Sequence, residues 1–274
     1  MSFKGNGFCF ETGRRTYIMG ILNITPDSFY DGGMYNSVEA AVLHAVRIEK
    51  DGADIIDVGA NSTRPGAVIL PAGRELEILR DILPSVVEAV NVPVSVDTFY
   101  PETAAFALEC GAKIINDVSG RINPEIVRLV KNYRAGYIVM HNPLFSSEKT
   151  ADYKNGVTAD VEAFFCESEK SLVNFGLKSE QLLFDVGIGF SKSQHDDIEL
   201  IRNLGFFKHN GRPLLVALSN KRMTSVMPDM IKTDRLYSTV AADSVAIVNG
   251  VDFIRVHNFR EAKIAAEAVD RIVR

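Results

Sequence analysis

Short, continuously apolar runs recur along the chain, and polar residues gather at or near the end of each. They are YIMGILN (17–23), DIIDVGA (54–60), PVSVDT (93–98), KIINDV (113–118), YIVMHN (137–142), LLFDVGIG (182–189), PLLVALSN (213–220) and FIRVHN (253–258). Apolar residues without alternation suit strands buried on both faces, as in a parallel sheet. The intervening segments carry the helical period. Leu76, Leu79, Leu83, Val86 and Val90 fall on one stripe, which Pro84 is expected to kink or interrupt. Ile264, Ala268 and Ile272 form another, and Asn36-Ser-Val-Glu39 resembles a capping box opening the first helix. Gly52, Gly111, Gly136, Gly176 and Gly250 stand between helix and strand, where a left-handed residue commonly ends a helix.

Eight strand–helix units with short connections predict an α/β fold of one domain, a (β/α)8 TIM barrel over residues 1–274. Residues 1–16 are expected to form a hairpin over the barrel bottom. An open doubly wound sheet is the alternative, disfavoured because it would use five or six units. The longest loops, 24–36 and 143–160, follow the first and fifth strands on the C-terminal face, where active sites of this fold lie.

Composition narrows the function. A net charge of −5 argues against a general nucleic-acid surface. The first residues lack the apolar core of a signal peptide, and no window holds about 18 uninterrupted apolar residues, so no membrane span is expected. Cys9, Cys110 and Cys166 have no paired spacing, which argues against disulfides or structural zinc. A cytoplasmic location follows as an expectation. There the glycosylation triplet Asn61-Ser62-Thr63 is a chance match.

Polar residues converge on the expected barrel mouth: Asn23, Asp57, Asp97, Asn116, Asp117, His141, Asp185, Ser219, Lys221, Arg255 and His257. Singly, each could be a cap or a satisfied core group. Together they point to a polar ligand, because buried polar groups cost free energy unless paired. Asp97, Asn116, Asp185 and Lys221 could read a donor-rich heterocycle. Arg64, Arg255 and His257 suit a phosphate or diphosphate, and Asn23 could hold Mg²⁺ on it. Other features read as structural. Cys110 and Cys166 are small core or surface residues, Phe164-Phe165 is helix packing, 191–197 begins a loop over the site, and Lys192 is solvated.

These motifs are similar, in order and spacing, to those of the dihydropteroate synthase family. MGILNITPDSFYDGG resembles its first signature and DVGANSTRPGA its second, followed by VSVDT, IINDV, VMHN, DVGIGF and IRVHN. The resemblance implies condensation of 6-hydroxymethyl-7,8-dihydropterin diphosphate with p-aminobenzoate to 7,8-dihydropteroate and pyrophosphate. On matching positions it implies pterin binding by Asp97, Asn116, Asp185 and Lys221, with Met140 as an apolar wall. It implies that Arg255 stacks on the pterin and touches the diphosphate. Asn23, Thr63, Arg64 and His257 would hold diphosphate and Mg²⁺, and Phe29, Pro65, Phe190 and Ser219 the p-aminobenzoate. A homodimer is also implied.

The chain departs from the family pattern at several positions. Asn61 stands for the usual Glu, Val186 for Pro, Ala217 for Gly, and Ser219-Asn220-Lys221-Arg222 for Ser-Arg-Lys-Ser. Arg222 would grip an anion or point into solvent. These changes suggest an altered response to p-aminobenzoate or sulfonamides. They also keep open a non-catalytic pterin-binding paralogue and a methyltetrahydrofolate-binding methyltransferase domain.

Overall fold

A computed structural model describes residues 1–274 except 25–37, 62–67, 147 and 209–210. Two short antiparallel strands, β1 (Ser2–Gly5) and β2 (Phe8–Glu11), open the chain. The barrel strands follow as β3 (Tyr17–Asn23), β4 (Ile55–Gly59), β5 (Val94–Asp97), β6 (Ile114–Asp117), β7 (Gly136–Met140), β8 (Leu182–Asp185), β9 (Leu214–Val216) and β10 (Phe253–Val256). All eight pair in parallel and close, with β10 against β3. The helices are α1 (Val38–Lys50), α2 (Ala72–Ala89), α3 (Pro101–Glu109), α4 (Pro124–Tyr133), α5 (Val157–Phe175), α6 (Gln194–Arg202), α7 (Leu204–Lys208), α8 (Lys232–Val248) and α9 (Phe259–Val273). The predicted (β/α)8 barrel with its N-terminal hairpin is therefore the observed fold.

The pleat explains where the chemistry gathers. Met19, Ile55, Ile114, Ile138, Leu183, Leu215 and Phe253 fill the lower barrel interior together with Phe3, Phe8 and Phe10 of the hairpin. Two residues further along a strand, the side chain returns to the same face. That step reaches Asp57 after Ile55, Asn116 after Ile114, Met140 after Ile138, Asp185 after Leu183 and Arg255 after Phe253. The same interior wall is apolar below and mainly polar above. The outward positions, Ile18, Ile56, Val58, Val96, Ile115 and Val139 among them, pack under the helices.

The hairpin is an aromatic plug. Phe3 lies edge-on to Phe253 at 5.7 Å, and Phe10 meets Tyr17 at 4.8 Å. Gly136 makes room for it: a Cβ there would stand 2.6 Å from the Phe3 ring and 2.8 Å from the Phe8 ring. The expected helix-ending role of Gly136 belongs instead to Arg134, whose φ is 53°. Asp252, fully buried at the bottom, accepts from the Gly13 and Leu214 amides and ties the hairpin's exit to the barrel.

Three helical expectations change. Helix α2 runs through Pro84 without interruption, because Leu79, Leu83 and Val86 on its inner face are fully buried and hold it to the barrel. Its buried stripe begins at Glu75 rather than Leu76. On α9, Ile264 and Ile272 face outward, and Phe259, Ala262 and Ala266 form the core face. The capping box at Asn36 lies partly outside the described residues. Helix α5 begins at Val157, so the loop after β7 is shorter than expected.

Candidate active site

At the C-terminal end of the barrel, Arg255 of β10 lies across the interior. Its Nε donates to Asp57 Oδ2 at 2.6 Å and its Nη2 to Asp97 Oδ2 at 2.9 Å. Asn116 Nδ2 donates to the same Asp57 oxygen at 3.1 Å. Asp57 was among the mouth residues but had no assigned role; it is the fully buried support beneath both partners. Asp57 Oδ1 and Asn116 Oδ1 are buried with no hydrogen-bond partner among the described residues. Two orphaned acceptors side by side suit a ligand that presents N–H groups, since leaving them bare costs free energy.

The charges shift one another. Burial pushes Asp97 up to about 7; Arg255 pulls it back, while Asp57, Glu75 and Asp117 push it further. Burial also raises Asp185, whose Oδ1 accepts from the Gly187 amide at 2.8 Å. Lys221 is brought down to about 8 by burial and then by Arg255, with Asp185 opposing. For Arg255, burial works against the charged form, but Asp57 and Asp97 outweigh it and the guanidinium stays charged. A lowered lysine and raised carboxylates at one barrel mouth are the pattern expected of a functional site.

An apolar wall stands beside these groups. Met140, Val118 and Phe190 form one buried cluster against Phe99. The Lys221 ammonium sits 4.1 Å from the centre of the Phe190 ring, a cation–π distance. Ser219 Oγ lies 3.0 Å from His257 Nδ1 and also accepts from the His257 amide at 3.4 Å. The structure thus joins Ser219, expected near p-aminobenzoate, to His257, expected near diphosphate. Asn23 is half-buried at the end of β3, level with Gly59 of β4. Of the remaining candidates, Phe29, Thr63, Arg64 and Pro65 lie outside the described residues.

Several residues take roles the sequence did not suggest. Lys192, expected in solvent, is buried, and its ammonium meets His141 Nδ1 at 2.9 Å and three backbone carbonyls. His141 Nε2 pairs with Asp160 at 2.9 Å, and burial together with Lys192 lowers its pKa to about 2. Residues 194–202, partly expected as loop, are helix α6. Asp117 supports the fold: its oxygens accept from the Ser119 amide and the Tyr137 hydroxyl. Glu75 is fully buried and accepts from the Asn61 amide and the Thr98 hydroxyl. Its position four residues before Leu79, on the buried stripe, was the sequence signal that could have found it.

The departures from the family pattern also have structural readings. Asn61 Oδ1 accepts from the Leu70 amide at 2.7 Å, while its side-chain N–H goes to Glu75. Val186 is a fully buried core residue. Arg222 Nη2 donates to the Lys192 carbonyl at 3.0 Å, and its charge acts on the Asp197 carboxylate. Asn220 takes a left-handed φ of 59°, which asparagine tolerates better than arginine. Its amide lies 3.4 Å from His257 Nδ1.

Comparison with known proteins agrees with this geometry. The family model described as "Pterin binding enzyme" matches residues 19–257. The dihydropteroate synthase of Clostridium beijerinckii is 37% identical over 267 residues, covering 97% of each chain. Among solved structures, the dihydropteroate synthase of Clostridium difficile in the presence of pteroic acid has a TM-score of 0.90 at 36% identity, covering 97% of this chain and 99% of that one. The Xanthomonas albilineans enzyme with 4-aminobenzoic acid also reaches 0.90, at 34% identity and coverage of 99% and 97%. By sequence, fold and the polar set at its barrel mouth, the chain belongs to the dihydropteroate synthase family of pterin-binding enzymes, transferases of folate biosynthesis.

Proposed function

We propose that this site condenses 6-hydroxymethyl-7,8-dihydropterin diphosphate with p-aminobenzoate. The observation that carries the assignment of the pterin is the pair of orphaned acceptors, Asp57 Oδ1 and Asn116 Oδ1, beside Asp97, Asp185 and Lys221. The carboxylates and Asn116 accept from the ring N–H groups and exocyclic amine, Lys221 donates to a ring acceptor, and Met140 packs on the ring face. Arg255 lies across the ring and reaches the diphosphate.

In the reaction the C–O bond to diphosphate breaks, and its electron pair leaves with pyrophosphate. The arylamine nitrogen then bonds to the exocyclic methylene and releases a proton. Asp97 stabilises positive charge that develops on the pterin. Arg255 and His257, with Thr63 and Arg64, stabilise the departing anion. Phe190 and Ser219, with Phe29 and Pro65, receive the p-aminobenzoate.

The donor chemistry of Asn23 fits magnesium: its amide oxygen is a hard, neutral donor, and one such donor suits an ion that keeps waters and substrate oxygens as its other ligands. Asn23 would hold Mg²⁺ there, and the ion would supply positive charge against the diphosphate. The exposed apolar residues Tyr237, Val245 and Val248 on α8 and Ile264 on α9 support a homodimer through these helices. A cytoplasmic location fits the unpaired cysteines, and no helix among the described residues is long and apolar enough to cross a membrane. The replacement of Arg by Asn220 beside His257 supports a changed affinity for p-aminobenzoate and sulfonamides.

The test mixes the protein with Mg²⁺, the dihydropterin diphosphate and p-aminobenzoate, and follows dihydropteroate and pyrophosphate by mass spectrometry. Product that disappears in Arg64→Ala and in Lys221→Ala supports the reading. Pterin diphosphate binding without product would favour the non-catalytic paralogue, and binding of methyltetrahydrofolate the methyltransferase. Ordinary p-aminobenzoate saturation and sulfonamide inhibition would sink the altered-affinity half.

A further inference from the structure

We infer that Lys192 is a positioning residue that holds three active-site loops in register and thereby sets the Phe190–Lys221 pair. Its ammonium lies 2.9 Å from His141 Nδ1, 3.1 Å from the His141 carbonyl, 3.0 Å from the Gly187 carbonyl and 3.0 Å from the Phe190 carbonyl. The first two belong to the loop after β7, the other two to the loop after β8. Its own carbonyl accepts from Arg222, in the loop after β9 and next to Lys221. One residue therefore joins three consecutive loops, the one that follows Met140 and the two that carry Phe190 and Lys221.

The surroundings are built for this contact. Gly187 has a φ of 69°, and a Cβ there would stand 2.1 Å from the His141 carbonyl oxygen, so the two loops touch backbone to backbone. His141 can accept from Lys192 only with Nδ1 bare. Its Nε2, facing Asp160 at 2.9 Å, fixes that tautomer. Ser191, also left-handed at φ 55°, extends the seam: its amide donates to the Ser146 carbonyl at 2.7 Å and its hydroxyl to Asn142 Oδ1 at 2.8 Å.

A buried ammonium is a costly way to fill space, and an apolar side chain of the same length would stabilise the fold at least as well. What the ammonium adds is direction. Its three N–H groups are shared among three carbonyls and an imidazole nitrogen that converge on one atom, which fixes the 187–190 turn and with it the Phe190 ring. That ring is the face on which the Lys221 ammonium rests. A shift of about 1 Å in such a wall can cost on the order of a hundredfold in rate.

This inference rests on the assignment of Phe190 to the p-aminobenzoate site, so the test separates the two. The KM for each substrate and kcat are measured for Lys192→Met, Phe190→Ala, their double variant and Arg222→Met. Lys192→Met is expected to raise the p-aminobenzoate KM by about tenfold or more, with a smaller change in the pterin diphosphate KM. The double variant is expected to be little worse than Phe190→Ala. Arg222→Met, at an exposed position, is expected to fold and to give a smaller rise in the same direction. In ¹⁵N-histidine spectra, the His141 Nδ1 resonance should move in Lys192→Met and stay in Phe190→Ala.

A Phe190→Ala enzyme with unchanged p-aminobenzoate KM would overturn the subsite assignment beneath the inference. A raised KM in Phe190→Ala, with none in Lys192→Met or Arg222→Met, would overturn the inference itself. If Lys192→Met does not fold, Arg222→Met decides alone.

Discussion

The two ends of the barrel are built from the same strands and differ by two residues of register. At the bottom the inward row is Ile55, Ile114, Leu183 and Phe253, closed by the hairpin's phenylalanines. Two positions later the row is Asp57, Asn116, Asp185 and Arg255, with two buried acceptors lacking partners among the described residues. The lower layer is mainly apolar, with the buried Ser95 level with Ile114 as its polar exception among the described residues. The upper layer is an incomplete set that a ligand would complete. Stability and activity are thus divided along the strand axis, and substitutions at the two ends should separate them.

The largest expected effect lies at the bottom. Phe3→Ala removes a fully buried ring that meets Phe8, Phe10 and Phe253. It should cost about 3–5 kcal/mol in urea unfolding while leaving kcat/KM of the folded enzyme unchanged. A comparable loss of activity would break the division. At the mouth, Asp97→Asn should lower kcat/KM by about a hundred- to a thousandfold, as expected for removing a charge aimed at the transition state. Its unfolding midpoint should hold or rise, because a buried carboxylate raised to about 7 is costly to keep charged.

Gly136→Ala probes the plug more gently. The added methyl meets the rings of Phe3 and Phe8 and should cost about 1–3 kcal/mol, again with normal kinetics. The smallest effect is a pH dependence that belongs to the mouth. His141 is held neutral in the folded protein, its pKa lowered to about 2 by burial and by Lys192. The unfolded imidazole takes up its proton near pH 6.5, so below that pH this group binds more protons in the unfolded chain and its own contribution to stability falls. Read as the difference between the parent and His141→Gln, this contribution should be about 1.3 kcal/mol between pH 7 and pH 5.5; in the total it is offset by Asp97 and Asp243, raised to about 7 and about 8, which gain protons in the folded state over the same range. His141→Gln should gain stability relative to the parent as pH falls from 7 to 5.5 and Phe3→Ala should keep the parent's pH slope, which unfolding curves at several pH values would show.

Much of this was legible along the chain. Each predicted apolar run overlaps a barrel strand, because a strand buried on both faces has no room for alternation. The polar residues that close those runs form the candidate site for the same reason: the pleat alternates, and the strands end together. The misreadings are equally specific. Ile264 and Ile272 share a helical stripe that faces solvent, since two helical faces of α9 carry apolar residues and only packing chooses between them. Gly136 serves the phenylalanines of a hairpin more than a hundred residues earlier, which no local pattern reveals.

The sequence by itself determined the strand count, the closed α/β architecture, the hairpin and the roster of polar groups at the mouth, because each follows from a local period or from residue type. Only the tertiary structure decided how those groups partner one another. Arg255 bridges Asp57 and Asp97 across 198 and 158 positions of sequence. Lys192, with the composition of a surface residue, is buried because three loops fold their carbonyls around its ammonium. Charge and hydropathy belong to a residue, but burial and hydrogen-bond partners belong to the fold, and these set what a lysine or an aspartate can do.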